Sequence, residues 1–219
     1  MNVLIVGHGF VGKAISGALK SDVDLSIADP NLGNDQYKFK ENNIDIIFIC
    51  LPTPMYKDGD CNSSIVEAEM KISNELFPEA LKVIKSTLPP NKLKEIEQKY
   101  SLVVYNPEFL TEKNAISDFI HSDFQIFGGN IKFSKLLERF YKTHTLCKNF
   151  KPSFTTIEIA SLVKYTINSF LATKVIFFNE LKKLFDERSF SDDQFNEFVK
   201  ILSLDSRIGS SHMNVPGHD

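Results

Sequence analysis

The chain has 219 residues, enough for one large domain or one and a half small ones. Its 42% hydrophobic and 24% charged residues are ordinary for a globular protein. A net charge of −3 and the lack of a long basic stripe argue against nucleic acid or an acidic membrane surface as partner.

Residues 3–6 are an apolar, β-branched run and predict a first strand. Gly7-His8-Gly9-Phe10-Val11-Gly12 follows, and Ala14, Ile15, Ala18 and Leu19 then fall at helical spacing. Between a strand and a helix, G-x-G-x-x-G does a defined job. The first glycine permits the tight turn, the second lets the backbone approach a pyrophosphate, and the third lets helix pack on strand. The helix N-terminus adds free N–H groups and the positive end of its dipole. A second strand over 23–28 ends in Asp29, 22 positions after Gly7. That is close to the ~20 expected of the acid that binds the adenosine ribose hydroxyls. No Arg or Lys adjoins Asp29, and its carboxylate would repel a 2′-phosphate, so the pattern points to NAD over NADP. The competing reading is a plain glycine turn with a solvent-facing Asp.

Strand and helix then alternate through the first ~130 residues, the pattern of a doubly wound parallel α/β (Rossmann) sheet. Strands are expected at 44–50, 81–85 and 102–105, with a last short one at 124–127 stopped by Gly128-Gly129. Helices are expected at 64–77, opened by a capping box from Ser64 to Glu67, at 90–99 and at 131–141. Residues 155–188 hold no Pro or Gly and predict one long central helix of ~50 Å. Its apolar residues cover more than one face, so part of it is expected to be buried against another domain or subunit. Ser191 caps a last helix to 202. The expected division is a dinucleotide-binding domain over 1–150 and a partial α-helical region over 151–219.

The loops at the C-terminal ends of the strands carry the candidate chemistry. Pro52-Thr53-Pro54 is a stiff turn that fixes a hydroxyl and backbone near the cofactor crevice. Lys85-Ser86-Thr87-Leu88-Pro89-Pro90 leaves the next strand, and Asn106-Pro107-Glu108-Phe109-Leu110-Thr111-Glu112 the one after. Glu108 and Glu112 are candidates for acid–base work, against a reading as helix caps and exposed loop charges. Lys164 and Asn168 stand i, i+4 on the long helix. They suit the holding of an oxyanion, although a partly solvated polar stripe is the commoner meaning of such a pair.

The cysteines, Cys50, Cys61 and Cys147, are odd in number and share no metal-type spacing. They fit a reducing cytoplasm better than a disulfide scaffold. His212 and His218 are too isolated to argue for a metal site. No apolar run is long enough to span a bilayer, and the chain opens on a strand, not on a leader segment.

Together these motifs resemble the UDP-glucose/GDP-mannose dehydrogenase family. The matching pieces are the glycine loop, Pro52-Thr53-Pro54, Ser86-Thr87-Leu88-Pro89-Pro90, Asn106-Pro107-Glu108-Phe109-Leu110 and the helix over 158–180. Asp205-Ser206-Arg207-Ile208-Gly209 with Pro216-Gly217 is similar to the stretch ahead of the family's active-site cysteine loop. The resemblance implies NAD-dependent oxidation of the C6 hydroxyl of a nucleotide sugar, with UDP-glucose first among the candidates. It implies that a cysteine traps the intermediate aldehyde, so that a second hydride can leave from a bound species. It further implies that Gly7, Gly9, Phe10, Val11, Gly12, Asp29, Pro52, Thr53, Thr87 and Glu112 contact NAD. Lys164 and Asn168 would stabilise the oxyanion. Glu112 and Thr87 would position a water, supported by Glu108. The long helix would join two chains in a homodimer.

Two departures stand out. The segment between Asp29 and Ile44 is shorter than the family's usual length. The sequence reaches Pro216-Gly217-His218-Asp219 before the family's cysteine loop and its nucleotide-sugar domain, so the expected role is the cofactor-binding portion, with a C-terminal portion as a possible partner. The alternatives are a non-catalytic dinucleotide-binding or dimerisation fragment and a β-hydroxyacid dehydrogenase relative.

Overall fold

The computed structural model describes residues 1–215, so Pro216-Gly217 and His218 lie outside the described residues. Two compact units divide the chain at Lys164 and Tyr165.

The first unit is built on one seven-stranded sheet of order β2-β1-β3-β4-β5-β6-β7. The strands are β1 (Asn2–Val6), β2 (Asp24–Ala28), β3 (Ile46–Ile49), β4 (Leu81–Ile84), β5 (Val103–Tyr105), β6 (Phe124–Gly129) and β7 (Lys151–Thr155). Five helices connect them: α1 (Phe10–Ala18), α2 (Ser64–Leu76), α3 (Pro90–Lys99), α4 (Ala115–Ile120) and α5 (Ile131–His144). The period-two alternation of β1 explains the layering. Val3 and Ile5 pack with Ala14 and Ile15 of α1 and with Phe140 and Tyr141 of α5. Leu4 and Val6 pack on the other face with Val66 and Met70 of α2 and Leu93 of α3. Helices on both faces of a mostly parallel sheet make the doubly wound fold that the alternation of elements predicts.

The far end of the sheet departs from expectation. β6 runs antiparallel to β5, and β7, which the sequence reading omits, runs parallel to β6 and closes the edge. Lys151–Thr155 carries Pro152 and polar neighbours, a composition that suits an edge strand and reads as loop. Gly128-Gly129 does not stop β6 but extends it, pairing with Tyr105 and Val104. A β-carbon on Gly128 would lie 2.7 Å from Cβ of Ala160, so this glycine admits the start of the next helix. The sequence pattern also does not predict the six-residue helix α4.

Between β2 and β3 the crossover is made by two 3-10 turns, Pro30–Leu32 and Gln36–Phe39, with no α-helix. The expected Ser64–Glu67 capping box is absent. Ser63 is the N-cap, and the Asn62 side chain accepts from the Ser64 N–H at 3.1 Å. Glu67 turns aside to accept from the Ser63 hydroxyl at 2.6 Å.

The long helix α6 (Ile157–Glu187) begins in the first unit, where Ile157 and Ala160 are fully buried. The second unit holds the rest of α6 and α7 (Asp192–Leu202). Phe178, Phe195 and Met213 form its small core, with Phe185 packed against Phe195 at 5.2 Å between ring centroids. Ser191 and Gln194 close a reciprocal capping box at the start of α7.

One carboxyl in the first unit is held unusually. Glu69 of α2 is 6% exposed and accepts from the Ser73 hydroxyl at 2.5 Å. Burial pushes it up to about 7, and Asp35 adds to the rise. The folded state therefore holds this proton more tightly than the unfolded chain, whose ordinary value is 4.5. Stability is lost as pH rises from about 4.5 to about 7 and is level above. Glu69→Gln removes that loss. It should raise unfolding stability by about 2 kcal/mol at pH near 8 and by almost nothing at pH near 4, read from urea denaturation at both.

Candidate functional site

The glycine loop is set by backbone packing. Gly7 has φ +89°, and a β-carbon on it would lie 2.4 Å from the Cys50 carbonyl oxygen. A β-carbon on Gly12 would lie 2.2 Å from the Gly7 carbonyl oxygen. These two glycines are required by the protein itself. Gly9 is different: a β-carbon there meets nothing within 4 Å. Gly9 is also the N-cap of α1, makes no side-chain cap, and has no acidic residue in the turn that follows. The first N–H groups of α1 thus face an open space with the positive end of the helix dipole behind them. That cradle fits a diphosphate.

The space is a cleft of about 570 Å³ along the C-terminal rim of the sheet. Gly7, Gly9, Phe10 and Val11 line its middle, and Gly12 lies beneath them, packed on Gly7. Asp29, after β2, lines one end. Its carboxylate accepts from the His8 N–H at 2.6 Å and the Asn31 N–H at 2.8 Å. The His8 N–H, more than any other group, holds the Asp29 carboxyl below the usual carboxylate range. Pro52 and Thr53 after β3, Thr87 after β4 and Glu108 after β5 line the other end. Ser86 binds that rim together: its hydroxyl accepts from the Leu51 N–H at 2.9 Å and donates to the Leu51 carbonyl at 2.7 Å.

Lys164 reaches this end from the first turns of α6. It is 5% exposed, and its Nζ donates to the Glu108 carbonyl at 2.6 Å and stands 3.2 Å from Glu108 Oε1. Glu108 Oε2 accepts from the Leu110 N–H at 2.7 Å, so the carboxylate is fixed on both oxygens. A desolvated ammonium and carboxylate beside a cleft can polarise a hydroxyl and stabilise a developing negative charge.

Two sequence candidates stand elsewhere. Glu112 is exposed and lines a neighbouring open cleft of about 530 Å³, which shares Phe10 with the first. Asn168 is exposed and belongs to the second unit. Sequence reasoning missed Lys85 and Asn106 as site residues. Lys85 lines the cleft floor and donates to Asn106 Oδ1 at 2.7 Å. Its only signal was position, a lysine at the end of an apolar strand. Cys50 also lines the cleft, and burial pushes its thiol up to about 12, in keeping with a structural role.

The fold and cleft define a Rossmann dinucleotide-binding domain. Residues 15–145 match the NAD binding domain of the UDP-glucose/GDP-mannose dehydrogenase family, and residues 158–218 match its central domain. The chain belongs to that family. It is 38% identical to UDP-glucose 6-dehydrogenase of Rickettsia bellii over 262 aligned positions, covering 99% of this chain and 59% of that protein. It is 34% identical to a UDP-glucose 6-dehydrogenase of Bacillus subtilis, covering 97% of this chain and 57% of that one. The chain therefore spans under two thirds of the length of these relatives. Among solved structures, GDP-mannose dehydrogenase of Pseudomonas aeruginosa superposes with a TM-score of 0.78 at 23% identity, over 98% of this chain and 59% of that one. That likeness confirms the fold.

The glycine geometry separates two roles by experiment. Gly9→Ala should leave the thermal midpoint within about 2 °C of the parent and weaken NAD binding about tenfold or more, read by calorimetric titration. Gly12→Ala should instead lower the midpoint by 5 °C or more, roughly, because backbone must move to admit the methyl group.

Proposed function

We propose that this chain is the cofactor-binding portion of an NAD-dependent enzyme that oxidises the C6 hydroxyl of a nucleotide sugar, with UDP-glucose its first candidate substrate. The observation that carries the reading is the single cleft that joins the glycine cradle and Asp29 to Thr53, Thr87 and Glu108, whose carboxylate is paired with Lys164. The names of the Rickettsia bellii and Bacillus subtilis relatives support the choice of sugar.

NAD supplies the hydride acceptor when bound. The α1 N-terminus receives its diphosphate and Asp29 its adenosine ribose, through lone pairs left free by the His8 and Asn31 N–H groups. Pro52, Thr53 and Thr87 flank the nicotinamide half. Lys164, held by Glu108, stabilises negative charge on the reacting oxygen, and Thr87 orients a water. Glu112 and Asn168 are assigned to the water and the oxyanion on the family pattern, since Glu112 lines the neighbouring cleft and Asn168 is exposed.

Two of the three thiols do not suit the trapping of an aldehyde. Burial pushes Cys50 up to about 12 and Cys147 up to about 11, which leaves almost no thiolate near neutral pH. Cys61 donates towards the Thr87 carbonyl, at 3.8 Å. On the family pattern none of Cys50, Cys61 and Cys147 occupies the position of the trapping cysteine, so the nucleophile is assigned to a portion outside these 219 residues. The protein works in a reducing compartment, the cytoplasm, in keeping with its free cysteines. Among the described residues, no helix is long and apolar enough to cross a membrane.

The 219-residue chain should bind NAD in a calorimetric titration yet give no sustained NADH formation with NAD and UDP-glucose. No NAD binding would sink the cofactor reading, and sustained turnover would sink the division of labour. We also infer a homodimer through α6, whose Phe170, Ile176, Phe177 and Leu184 are 56–66% exposed. Light scattering should return twice the mass of one chain; the single-chain mass at micromolar concentration would refute it.

A further inference from the structure

Lys85 is a cation that the proposed reaction does not use. It is 2% exposed, yet it lines the cleft. Its partner at 2.7 Å is the neutral Oδ1 of Asn106, and its Nζ lies 5.9 Å from the centroid of the Phe119 ring. Among the described residues no carboxylate stands within ion-pair distance of it, whereas the neighbouring Lys164 is paired with Glu108 at 3.2 Å. A buried ammonium with no carboxylate in contact is costly, and Glu108, the nearest acid to act on it, is already paired with Lys164. Such an ammonium also projects a field that a paired one cancels.

The strand order says where that field falls. Asp29 follows β2 at one end, the glycine cradle follows β1, and Lys85 follows β4 beside the loops after β3 and β5. A dinucleotide with its ribose at Asp29 and its diphosphate at α1 places its nicotinamide half over β3 to β5. That ring is a cation when oxidised and neutral when reduced.

We propose that Lys85 sets the cleft's preference between the two oxidation states of the cofactor, its unneutralised ammonium favouring NADH over NAD+. This rests on the NAD reading above. By lowering the relative stability of the oxidised ring in the complex, Lys85 favours hydride acceptance. It is a specificity-determining residue that needs no contact with the reacting atoms.

The groups facing Lys85 come from every element around it. They are Cys50 at the end of β3, Glu108 after β5, Tyr141 of α5, Cys147 before β7 and Lys164 of α6. Both thiols stay neutral well above neutral pH. Burial brings Lys85 itself down to about 8. The preference should therefore be full below about pH 7 and fade as the ammonium loses its proton.

The test is the ratio of NAD+ and NADH dissociation constants, measured by calorimetry at pH near 6.5 and near 9.5 in the parent and in Lys85→Met. Dividing the two constants cancels every effect common to both forms, including those of the shared adenosine and diphosphate. In the parent the ratio should shift towards NAD+ by about tenfold at the higher pH, the size of a unit-charge interaction near 10 Å at an effective dielectric of about 20. In Lys85→Met the ratio should already show that shift at both pH values. If Lys85 serves only to hold Asn106, the variant weakens both ligands alike and the ratio stays at the parent's value, which overturns the proposal. Should Lys85→Met fail to fold, a parental ratio that does not move with pH overturns it equally. Binding of both forms with an unmoved ratio refutes this inference alone; binding of neither refutes the cofactor reading as well.

Discussion

Gly7 lies so close to the carbonyl of Cys50 that no β-carbon fits between them, and Gly12 lies as close to the carbonyl of Gly7. These backbone contacts hold β1, the start of α1 and the end of β3 in one register. Ser86 carries the same fixity from β3 to β4 by bonding both the N–H and the carbonyl of Leu51. The rim from Gly7 to Thr87 is thereby a single rigid edge, and Thr53 and Thr87 stand on it. Because the protein's own packing needs glycine at 7 and 12, the open face at Gly9 is left for a ligand. Preorganisation of this kind spares the binding step the ordering of a loop.

A second constraint lies one layer deeper. Asn106 uses every hydrogen-bonding position of its amide. Its Oδ1 accepts from Lys85 and from the Tyr141 hydroxyl at 2.6 Å, and its Nδ2 donates to Gln125 Oε1 at 3.1 Å and the Ile126 carbonyl at 2.7 Å. Four partners, one just after β4, one on α5 and two on β6, meet at this residue. A buried polar cluster is costly when incomplete and specifying when complete. Here it fixes where the antiparallel β6 joins the parallel part of the sheet. The following residues, Pro107 and Glu108, thus leave β5 at a defined point, and Glu108 meets Lys164.

The first half of the fold was legible because its signals are local. The glycine loop, the alternation within β1 and the placement of Asp29 each lie within a few residues of what they specify. The parts that were not legible depend on distant partners. Lys151–Thr155 becomes a strand only because β6 offers a free edge, and Pro152 hides it. Gly128 reads as a stop until Ala160 arrives to explain it. Asn62 takes over the start of α2 because Glu67 finds Ser63 and Lys92. The candidate pairs divide on the same ground. Glu108 lies in a loop and Glu112 opens the 3-10 turn that follows it, so their spacing of four implies no shared face, and they line different clefts. Lys164 and Asn168 do share a helix, yet Lys164 is covered by Glu108 and Phe109 whereas Asn168 is exposed. Lys85 was hidden by its own strand, where a terminal lysine reads as solvent-facing.

The short connection after Asp29 depends on that one side chain. With two 3-10 turns in place of a crossover helix, something must anchor the segment to the sheet. Asp29 does so: Oδ1 caps the Pro30–Leu32 turn through the Asn31 N–H, and Oδ2 holds the His8 N–H inside the glycine loop. Its own N–H donates to the Asn34 side chain at 3.0 Å. The same donors that anchor the turn keep the carboxylate ionised. Ionised, each oxygen keeps acceptor capacity beyond the one N–H it takes here, and Asp29 lines the cleft. One carboxylate therefore caps the turn and steadies the glycine loop, and so fixes this end of the cleft.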